Sequence, residues 1–299
     1  MNKIVLTTDS GMCALKKEDS IIIPAQLNSS NGKSYYDNGK ISNEQILKDM
    51  EKGIIYKTSS PLLGDFQNTF RSILEDGKDI IHLSMSSGIS EGSVNSANII
   101  ANELNQEYKN KVYVIDTLTG ATGGTLFYEL AYSELLNSNL PTKELVDKLN
   151  KFKKYIQTSF YVPNIDGYKR SGRDKTKSHL KNTVLSATSS IAKMASLKFR
   201  VDFNDKGNLY LKKIFKSSQA NGMHKMVMDI VNKDNIEQFD PKFVAVGNLY
   251  KEKVDIEQIK KYLVSLNYFD NIIEQEIGSV VAAYGCNDLC GISLMKKLH

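Results

Sequence analysis

The sequence predicts an α/β protein of two domains, the first of them built on a parallel sheet. Strand-like apolar runs alternate with helix-like segments through the first half of the chain. Such alternation implies right-handed crossovers and a parallel sheet covered on both faces. The chain has 299 residues, enough for two ordinary domains whose cores need no metal or disulfide. In sheets of this kind, ligands bind beyond the carboxyl ends of the strands.

The elements of the first half follow from apolar periodicity and from capping residues. Ser42 with Gln45 forms a capping-box pattern at the start of one helix. Pro61 fits the first position of the next helix, and Ser60 before it fits the cap. In chain order we predict strands at 3–10 and 21–27, a helix at 42–53, a strand at 53–57, a helix at 61–77, a strand at 79–85, a helix at 97–108, a strand at 111–117, and helices at 120–136 and 141–156.

The second half is less regular. A hairpin is predicted at 196–215, with its turn at Asn204 to Asn208. A helix at 219–233, a strand at 243–250, a helix at 255–267 and a strand at 276–285 follow. We place the domain boundary after the amphipathic helix at 141–156, which gives an N-terminal α/β domain of residues 1–160 and a C-terminal α/β domain of residues 161–299.

Composition narrows the class of protein. The net charge is +5, and the lysines are scattered along helices, so nothing indicates a nucleic-acid-binding face. Three cysteines without framework spacing indicate a reducing compartment. The first residues contain too short an apolar run for a signal peptide, and no stretch reaches the roughly 20 apolar residues of a membrane span. We expect a cytoplasmic protein with at most transient contact with a membrane surface.

A serine-rich corner joins the strand at 79–85 to the following helix. The segment SSGISEGS, Ser86 to Ser93, lies where free backbone N–H groups and the helix dipole favour an anion. Ser90 can cap the helix, and its hydroxyl can instead face a ligand. A plain helix cap in a serine-rich turn explains the segment equally well.

A second hydroxyl cluster, Thr58 to Pro61, also follows a strand-like run and precedes a helix. Two such loops at the same sheet edge can hold one small anion between them, which favours a binding site. No Gly-Lys-Ser/Thr phosphate loop, dinucleotide fingerprint or G-x-S-x-G elbow accompanies either cluster. The residues alone therefore indicate an anion held by neutral hydroxyls and backbone amides, with no base to react with it. This predicts a binding protein and no enzyme.

Other candidate residues have ordinary explanations. His82 lies inside a strand run and is expected in the core. Cys286 and Cys290 lack a second ligand pair, so we expect no metal and no cofactor. The basic loop at 169–177 can be a plain solvent-exposed loop, or it can contact a phosphate or the acidic surface of a partner. A sugar-phosphate-binding or isomerase-type domain is the alternative function, and Glu91 is its only local candidate for a catalytic acid or base.

Taken in order, five segments resemble motifs of the DegV family of fatty-acid-binding proteins. TDS at Thr8 to Ser10 resembles the family's T-D-S, and TSSP at Thr58 to Pro61 resembles T-S-Q-P. The serine corner resembles S-S-x-L-S-G-T-Y-x-S-A, and VIDTLTGATGG resembles V-x-D-S with its small residues. RSGR at Arg170 to Arg173 resembles the K-G-G-R that opens the second domain. The similarity spans almost the whole chain.

The resemblance implies a two-domain fold that encloses one long-chain fatty acid in an apolar tunnel between and within the domains. It implies that Thr58 and Ser90 hold the carboxylate. A separate fatty acid kinase is the partner implied for many members. We extend the expected ligand-binding set by the neighbours of these motifs, which gives Thr58, Ser59, Ser87, Ser90, Gly92, Arg173 and Tyr284.

The sequence departs from the family pattern at several positions. The family's histidine before G-P-G is matched by Tyr284, which donates a hydrogen bond but carries no positive charge. Ser171 replaces a glycine of K-G-G-R, and Glu91 and Ser93 alter L-S-G-T.

Overall fold

The computed structural model describes residues 4–13, 20–163, 197–216, 219–249, 253–284 and 289–298. The strands are β1 (Ile4–Asp9), β2 (Ile21–Ile23), β3 (Gln26–Ser29), β4 (Ser34–Tyr36), β5 (Tyr56–Ser59), β6 (Asp79–Ser84), β7 (Val112–Asp116), β8 (Ile156–Val162), β9 (Leu197–Phe203), β10 (Leu209–Lys216), β11 (Phe239–Asn248), β12 (Ile272–Glu274) and β13 (Cys290–Lys296). The helices are α1 (Asn43–Glu51), α2 (Leu63–Glu75), α3 (Ser87–Glu107), α4 (Thr122–Asn137), α5 (Thr142–Phe152), α6 (Gln219–Ile230), α7 (Lys253–Ser265) and α8 (Ser279–Ala282).

The first sheet is parallel, in the order β2-β1-β6-β7, which confirms the predicted fold class. Helices α2 and α3 cover one face, where Phe66, Phe70 and Leu104 are fully buried. Helices α4 and α5 cover the other face, where Phe127 and Leu149 are fully buried. The strands therefore carry near-continuous apolar runs, as sheets buried on both faces require.

A small antiparallel sheet, β4-β3-β5, stands beside the parallel one. It corrects two expectations. The predicted strand at 21–27 is two strands in different sheets, divided at Pro24, which has no N–H to donate to a ladder. Thr58 and Ser59 lie in β5 of this small sheet, so they do not follow a strand of the parallel sheet.

The second large sheet has six strands in the order β10-β9-β8-β13-β11-β12. All its pairs are antiparallel except β11 with β12. Helices α6 and α7 pack on one face, where Val227 and Ile259 are buried. Strand β8 (Ile156–Val162) crosses the boundary we place at residue 160, and the division into 1–160 and 161–299 stays a prediction.

Helix α4 joins the two halves, since it packs against the parallel sheet and also contacts β11 and β13. The close packing at the start of α4 explains the glycines of the GATGG motif at 120–124. A Cβ added at Gly123 would lie 2.0 Å from Thr119 Oγ1, and one at Gly124 would lie 2.4 Å from the carbonyl oxygen of Met12. Four buried hydroxyls form a continuous hydrogen-bonded row where α4 meets the second large sheet. In order they belong to Thr119, Thr158, Ser293 and Thr122, and successive oxygens lie 3.0, 3.0 and 2.9 Å apart.

The last predicted strand, at 276–285, is wrong. The structure has the short helix α8 there, followed by the strand β13. No helix in the part of the chain that the structure describes is long and apolar enough to cross a membrane. The same residues contain no cluster of His, Cys, Asp or Glu that could hold a metal ion. Cys286 lies outside the described residues.

Candidate ligand cavity

One cavity of about 210 Å³ lies between the two halves of the molecule. It is bounded by the small sheet, the start of α3, helix α8 and the strands β8 and β9. Its polar lining residues are Asp9, Thr58, Ser59, Ser60, Ser90, Ser93 and Tyr284. The remaining lining residues are apolar or glycine, so the cavity is an apolar space with one set of hydroxyls.

Thr58 and Tyr284 form the first hydroxyl pair of the cavity. The Tyr284 hydroxyl lies 2.6 Å from Thr58 Oγ1, and it accepts a hydrogen bond of 3.1 Å from the Thr58 backbone N–H. These residues are 226 positions apart, and the pair joins β5 to the end of α8.

Ser90 and Ser93 form the second pair, with their hydroxyl oxygens 2.9 Å apart. Helix α3 begins ten residues before the predicted start at Ala97, with Ser86 as its cap, so Ser90 is not the residue that caps it. The backbone of Ser90 is non-helical, at φ −131° and ψ 69°, which breaks the first turn from the rest of α3. This break turns the Ser90 side chain out of the regular helical rows.

The two pairs belong to one polar region. A Cβ added at Gly92 would lie 3.1 Å from Ser60 Oγ, so the start of α3 touches the loop that follows Thr58. Ser60 does not cap α2, which begins at Leu63 without a side-chain cap. The Ser60 side chain lines the cavity instead, and Ser59 beside it is exposed. The hydroxyl region therefore opens toward solvent.

The remaining serines of the corner hold the fold together. Ser87 donates a hydrogen bond of 2.6 Å to Asp116, and its backbone N–H donates another of 3.1 Å to the same carboxylate. Ser86 donates to the carbonyl oxygen of Gly207 at 2.8 Å. Gly207 lies in the β9–β10 turn, so this bond holds that turn, which belongs to the second half of the chain, against the start of α3.

Asp9 is a buried acid in the cavity lining. Ser84 Oγ and the Met85 N–H donate to one carboxylate oxygen at 3.1 and 2.8 Å, and the Gly11 N–H donates to the other at 3.1 Å. Burial nevertheless raises the pKa of Asp9 from 3.8 to about 6. Three donors oppose the cost of removing the charge from water but do not cancel it.

The apolar wall comes from one face of the second sheet. Phe160 and Val162 on β8 pair across the ladder with Val201 and Phe199 on β9. Phe203 continues the row, and its ring lies 6.0 Å from that of Phe160. Alternate residues of a strand share a face, so these five side chains line the cavity together.

His82 belongs to the core, as expected. Its Nδ1 lies 3.0 Å from Thr7 Oγ1, and its ring packs against Phe66 and Phe70. Burial lowers the pKa of His82 to about 3, so the ring is neutral. Glu91, the other candidate acid or base, is exposed and does not line the cavity.

Four of the predicted site residues line the cavity, namely Thr58, Ser59, Ser90 and Tyr284. Ser87 and Gly92 do not line it, and Arg173 lies outside the described residues. The predicted set lacked Ser60, Ser93 and Asp9. Ser60 and Ser93 occur within the two motifs already singled out, so their proximity to Thr58 and Ser90 was the available signal.

Comparison with known families and structures agrees with this architecture. A family model described as "Uncharacterised protein, DegV family" matches residues 3–297. The chain belongs to the DegV family. A DegV domain-containing protein of Staphylococcus aureus is 26% identical over 307 aligned positions, covering 99% of this chain and 100% of the relative.

Solved structures of DegV-like proteins share the fold. A stearic-acid-binding protein from Eubacterium ventriosum has a TM-score of 0.79 at 23% identity, covering 99% of each chain. The Fatty Acid Kinase (Fak) B3 protein of Streptococcus pneumoniae, loaded with linoleic acid, has a TM-score of 0.79 at 16% identity, covering 98% of this chain and 99% of that one. The match of the family model over residues 3–297 confirms the sequence resemblance to the DegV family.

Proposed function

We propose that this protein binds one long-chain fatty acid, with the acyl chain along the apolar wall and the carboxylate among the hydroxyls of Thr58, Ser90 and Tyr284. The observation that carries the proposal is the composition of one cavity, in which a contiguous hydroxyl region adjoins an otherwise apolar lining. The fatty acids bound by the Eubacterium and Streptococcus proteins of the same fold support it.

The energetics divide the work between tail and headgroup. Burying a methylene contributes about 0.8 kcal/mol, so a long acyl chain supplies on the order of 10 kcal/mol before the costs of binding. A hydrogen bond to a charged group adds about 1.5 to 3 kcal/mol. The tail therefore sets affinity, and the hydroxyls set the position and direction of the ligand.

The role that follows is that of a carrier without catalytic chemistry of its own. The described lining holds no histidine, lysine or glutamate, and its acid, Asp9, is engaged by three protein donors. A carrier must present the headgroup to another protein, and the exposed Ser59 beside Thr58 marks an opening at that end. We propose a fatty acid kinase as the receiving partner, as the name of the Streptococcus neighbour suggests, and a cytoplasmic location.

A sugar-phosphate ligand suits the cavity less well. Sugars need many polar partners, and most of this lining is apolar. An isomerase also needs an acid or base at the site, but Glu91 is exposed outside the cavity lining and His82 is buried in the core. Asp9 lines the cavity, but its carboxylate already accepts three hydrogen bonds from the protein. Stabilisation of the protein against heat by phosphosugars, and not by long-chain fatty acids, would support that alternative.

The direct test is a double substitution at the hydroxyl region. Thr58→Val with Ser90→Ala removes one hydroxyl from each pair while keeping the fold, so retention of a labelled fatty acid should fall by about tenfold or more. Ser96→Ala is the matched control, because Ser96 lies further along α3 and does not line the cavity. It should leave retention unchanged.

Two outcomes distinguish the proposed fatty acid site from the proposed kinase partnership. Retention by the double variant equal to that of the parent protein would refute the headgroup site. Normal retention by the parent protein, without formation of acyl phosphate when a fatty acid kinase and ATP are added, would refute only the kinase partnership. Native mass spectrometry of the protein purified from cells identifies the bound acid.

A further inference from the structure

Strand β9 carries opposite chemistry on its two faces. Phe199, Val201 and Phe203 line the cavity, whereas Arg200 and Asp202 point to the other side of the sheet, as the alternation of a strand requires. Both charged residues are largely buried, at 7% and 5% exposed. A charged groove therefore lies on the opposite face of β9 from the cavity.

The groove has a volume of about 220 Å³ and is formed by β9, β10 and α6. Its lining residues are Arg200, Lys213, Phe215, Lys216, Lys225, Met226 and Asp229. Two of them are large and apolar, and four are cations. None of these residues belongs to the cavity that we assign to the fatty acid.

Internal ion pairs fix part of this groove. Arg200 donates two hydrogen bonds to Asp202, of 2.9 and 2.8 Å, and its third nitrogen lies 3.7 Å from Asp229. Lys213 donates to both oxygens of Asp229 at 2.9 Å. Both carboxylates are thus already engaged, Asp202 by Arg200 of the same strand and Asp229 chiefly by Lys213 of β10.

Lys216 and Lys225 have no such partner. No carboxylate of the described residues lies within ion-pair distance of either side chain. Four cations face two carboxylates in and beside the groove, which leaves a net charge of +2. A partner that brings its own carboxylates would neutralise this excess, and the electrostatic match would speed association.

We propose that this groove binds an acidic segment of a partner protein, in which carboxylates flank an apolar side chain. The carboxylates would pair with Lys216 and Lys225, and the apolar side chain would pack on Phe215, which is only partly buried, whereas Met226 is 3% exposed and belongs to the core. A free phosphate would leave Phe215 uncovered. A flat bilayer surface would not reach Arg200, whose side chain is only 9% exposed at the base of the concavity.

The groove places a bound partner on the same strand that lines the fatty acid cavity. A segment bound there packs on the outer face of β9, and the acyl chain packs on the inner face of the same strand. A partner docked at this site would therefore contact the same strand as the acyl chain. The docking proposal itself does not depend on the identity of the ligand.

The test uses a fluorescent acidic peptide with a central phenylalanine, and measures its binding by anisotropy at low and high salt. Lys216→Glu with Lys225→Glu should weaken binding by about tenfold or more, because attraction becomes repulsion. Asp229→Asn should strengthen binding about threefold, because it removes a negative charge from the groove and releases Lys213 for the peptide.

The control is Lys109→Glu with Lys143→Glu, which makes the same change in net charge at two exposed lysines away from the groove. Lys109 lies just after α3, and Lys143 lies in α5. This variant should bind the peptide as the parent protein does. Equal binding by all variants, or weakening by both lysine pairs alike, would overturn the proposal. Binding of anionic vesicles but not of the peptide, lost on substitution of Lys216 and Lys225, would assign the surface to membranes instead.

Discussion

The Tyr284 hydroxyl and Thr58 Oγ1 lie 2.6 Å apart, at the boundary between the small sheet and helix α8. The same tyrosine oxygen accepts the Thr58 N–H. In the DegV pattern a histidine occupies the position that Tyr284 matches. A tyrosine side chain cannot carry a positive charge, so the threonine hydroxyl here is oriented by a hydrogen bond.

Tyr284→Phe should weaken fatty acid binding by about two- to tenfold, because it removes one hydroxyl at a net value of about 0.5 to 1.5 kcal/mol and keeps the ring. Displacement of a fluorescent fatty acid measures the change. Tyr36→Phe is the control, since Tyr36 lies on the exposed strand β4. Unchanged affinity in the Tyr284 variant would remove this residue from the site.

Ser93→Ala should accelerate release of the fatty acid by about two- to tenfold, because Ser90 then loses the hydroxyl that lies 2.9 Å from its own. Stopped-flow measurement of release gives the rate. Ser96→Ala on the same helix carries the same change in helix propensity without touching the cavity lining. Equal release rates in the two variants would show that Ser93 has no role in positioning Ser90.

Sequence patterns predicted the parallel sheet because its elements depend on local periodicity. Where they failed, either the local pattern was ambiguous or a contact between distant residues decided the outcome. The run at 276–285 is apolar in a way that suits a strand or a buried helix, and the structure buries Ile277 and Ala282 in a turn and short helix. Helix α3 starts early because Ser86 caps it and Asp116 accepts from Ser87.

The same limit applies to the candidate site. Clustered hydroxyls in the sequence predicted the two loops, and the resemblance to the DegV family implied Thr58 and Ser90 within them. Both residues line the same cavity. The pairing of Thr58 with Tyr284 spans 226 positions, and no local pattern contains it. The separate sheet that carries Thr58 likewise depends on pairing with β3, which the sequence does not specify locally.

Gly88→Ala should destabilise the protein by about 1 to 3 kcal/mol, because the added Cβ would lie 2.4 Å from the carbonyl oxygen of Gly207. The β9–β10 turn must then move and release its hydrogen bond to Ser86. Urea unfolding measures the free energy. Gly64→Ala in α2 meets nothing within 4 Å, so it should be neutral or stabilising. Similar stability of the two variants would show that the β9–β10 turn does not pack tightly against Gly88.

Asp9 makes stability depend on pH in a predictable direction. Burial raises its pKa from 3.8 to about 6, and the nearby charge of Asp37 adds to the effect. The folded state therefore holds the proton more tightly than the unfolded chain does. The resulting contribution to stability is complete below about pH 4 and is lost as the pH rises through about 6.

Asp9→Asn should remove this dependence, because an amide does not titrate. Between about pH 4 and pH 7 the free energy of unfolding of the parent protein should fall by up to about 3 kcal/mol relative to the variant. Urea titrations across this range measure both proteins, and the difference between them cancels the other carboxylates. The variant itself starts lower by about 1 kcal/mol, because the amide cannot accept from both Gly11 and Met85. Parallel profiles for the two proteins would mean that Asp9 is ionised in the folded state across the whole range, held so by its three donors.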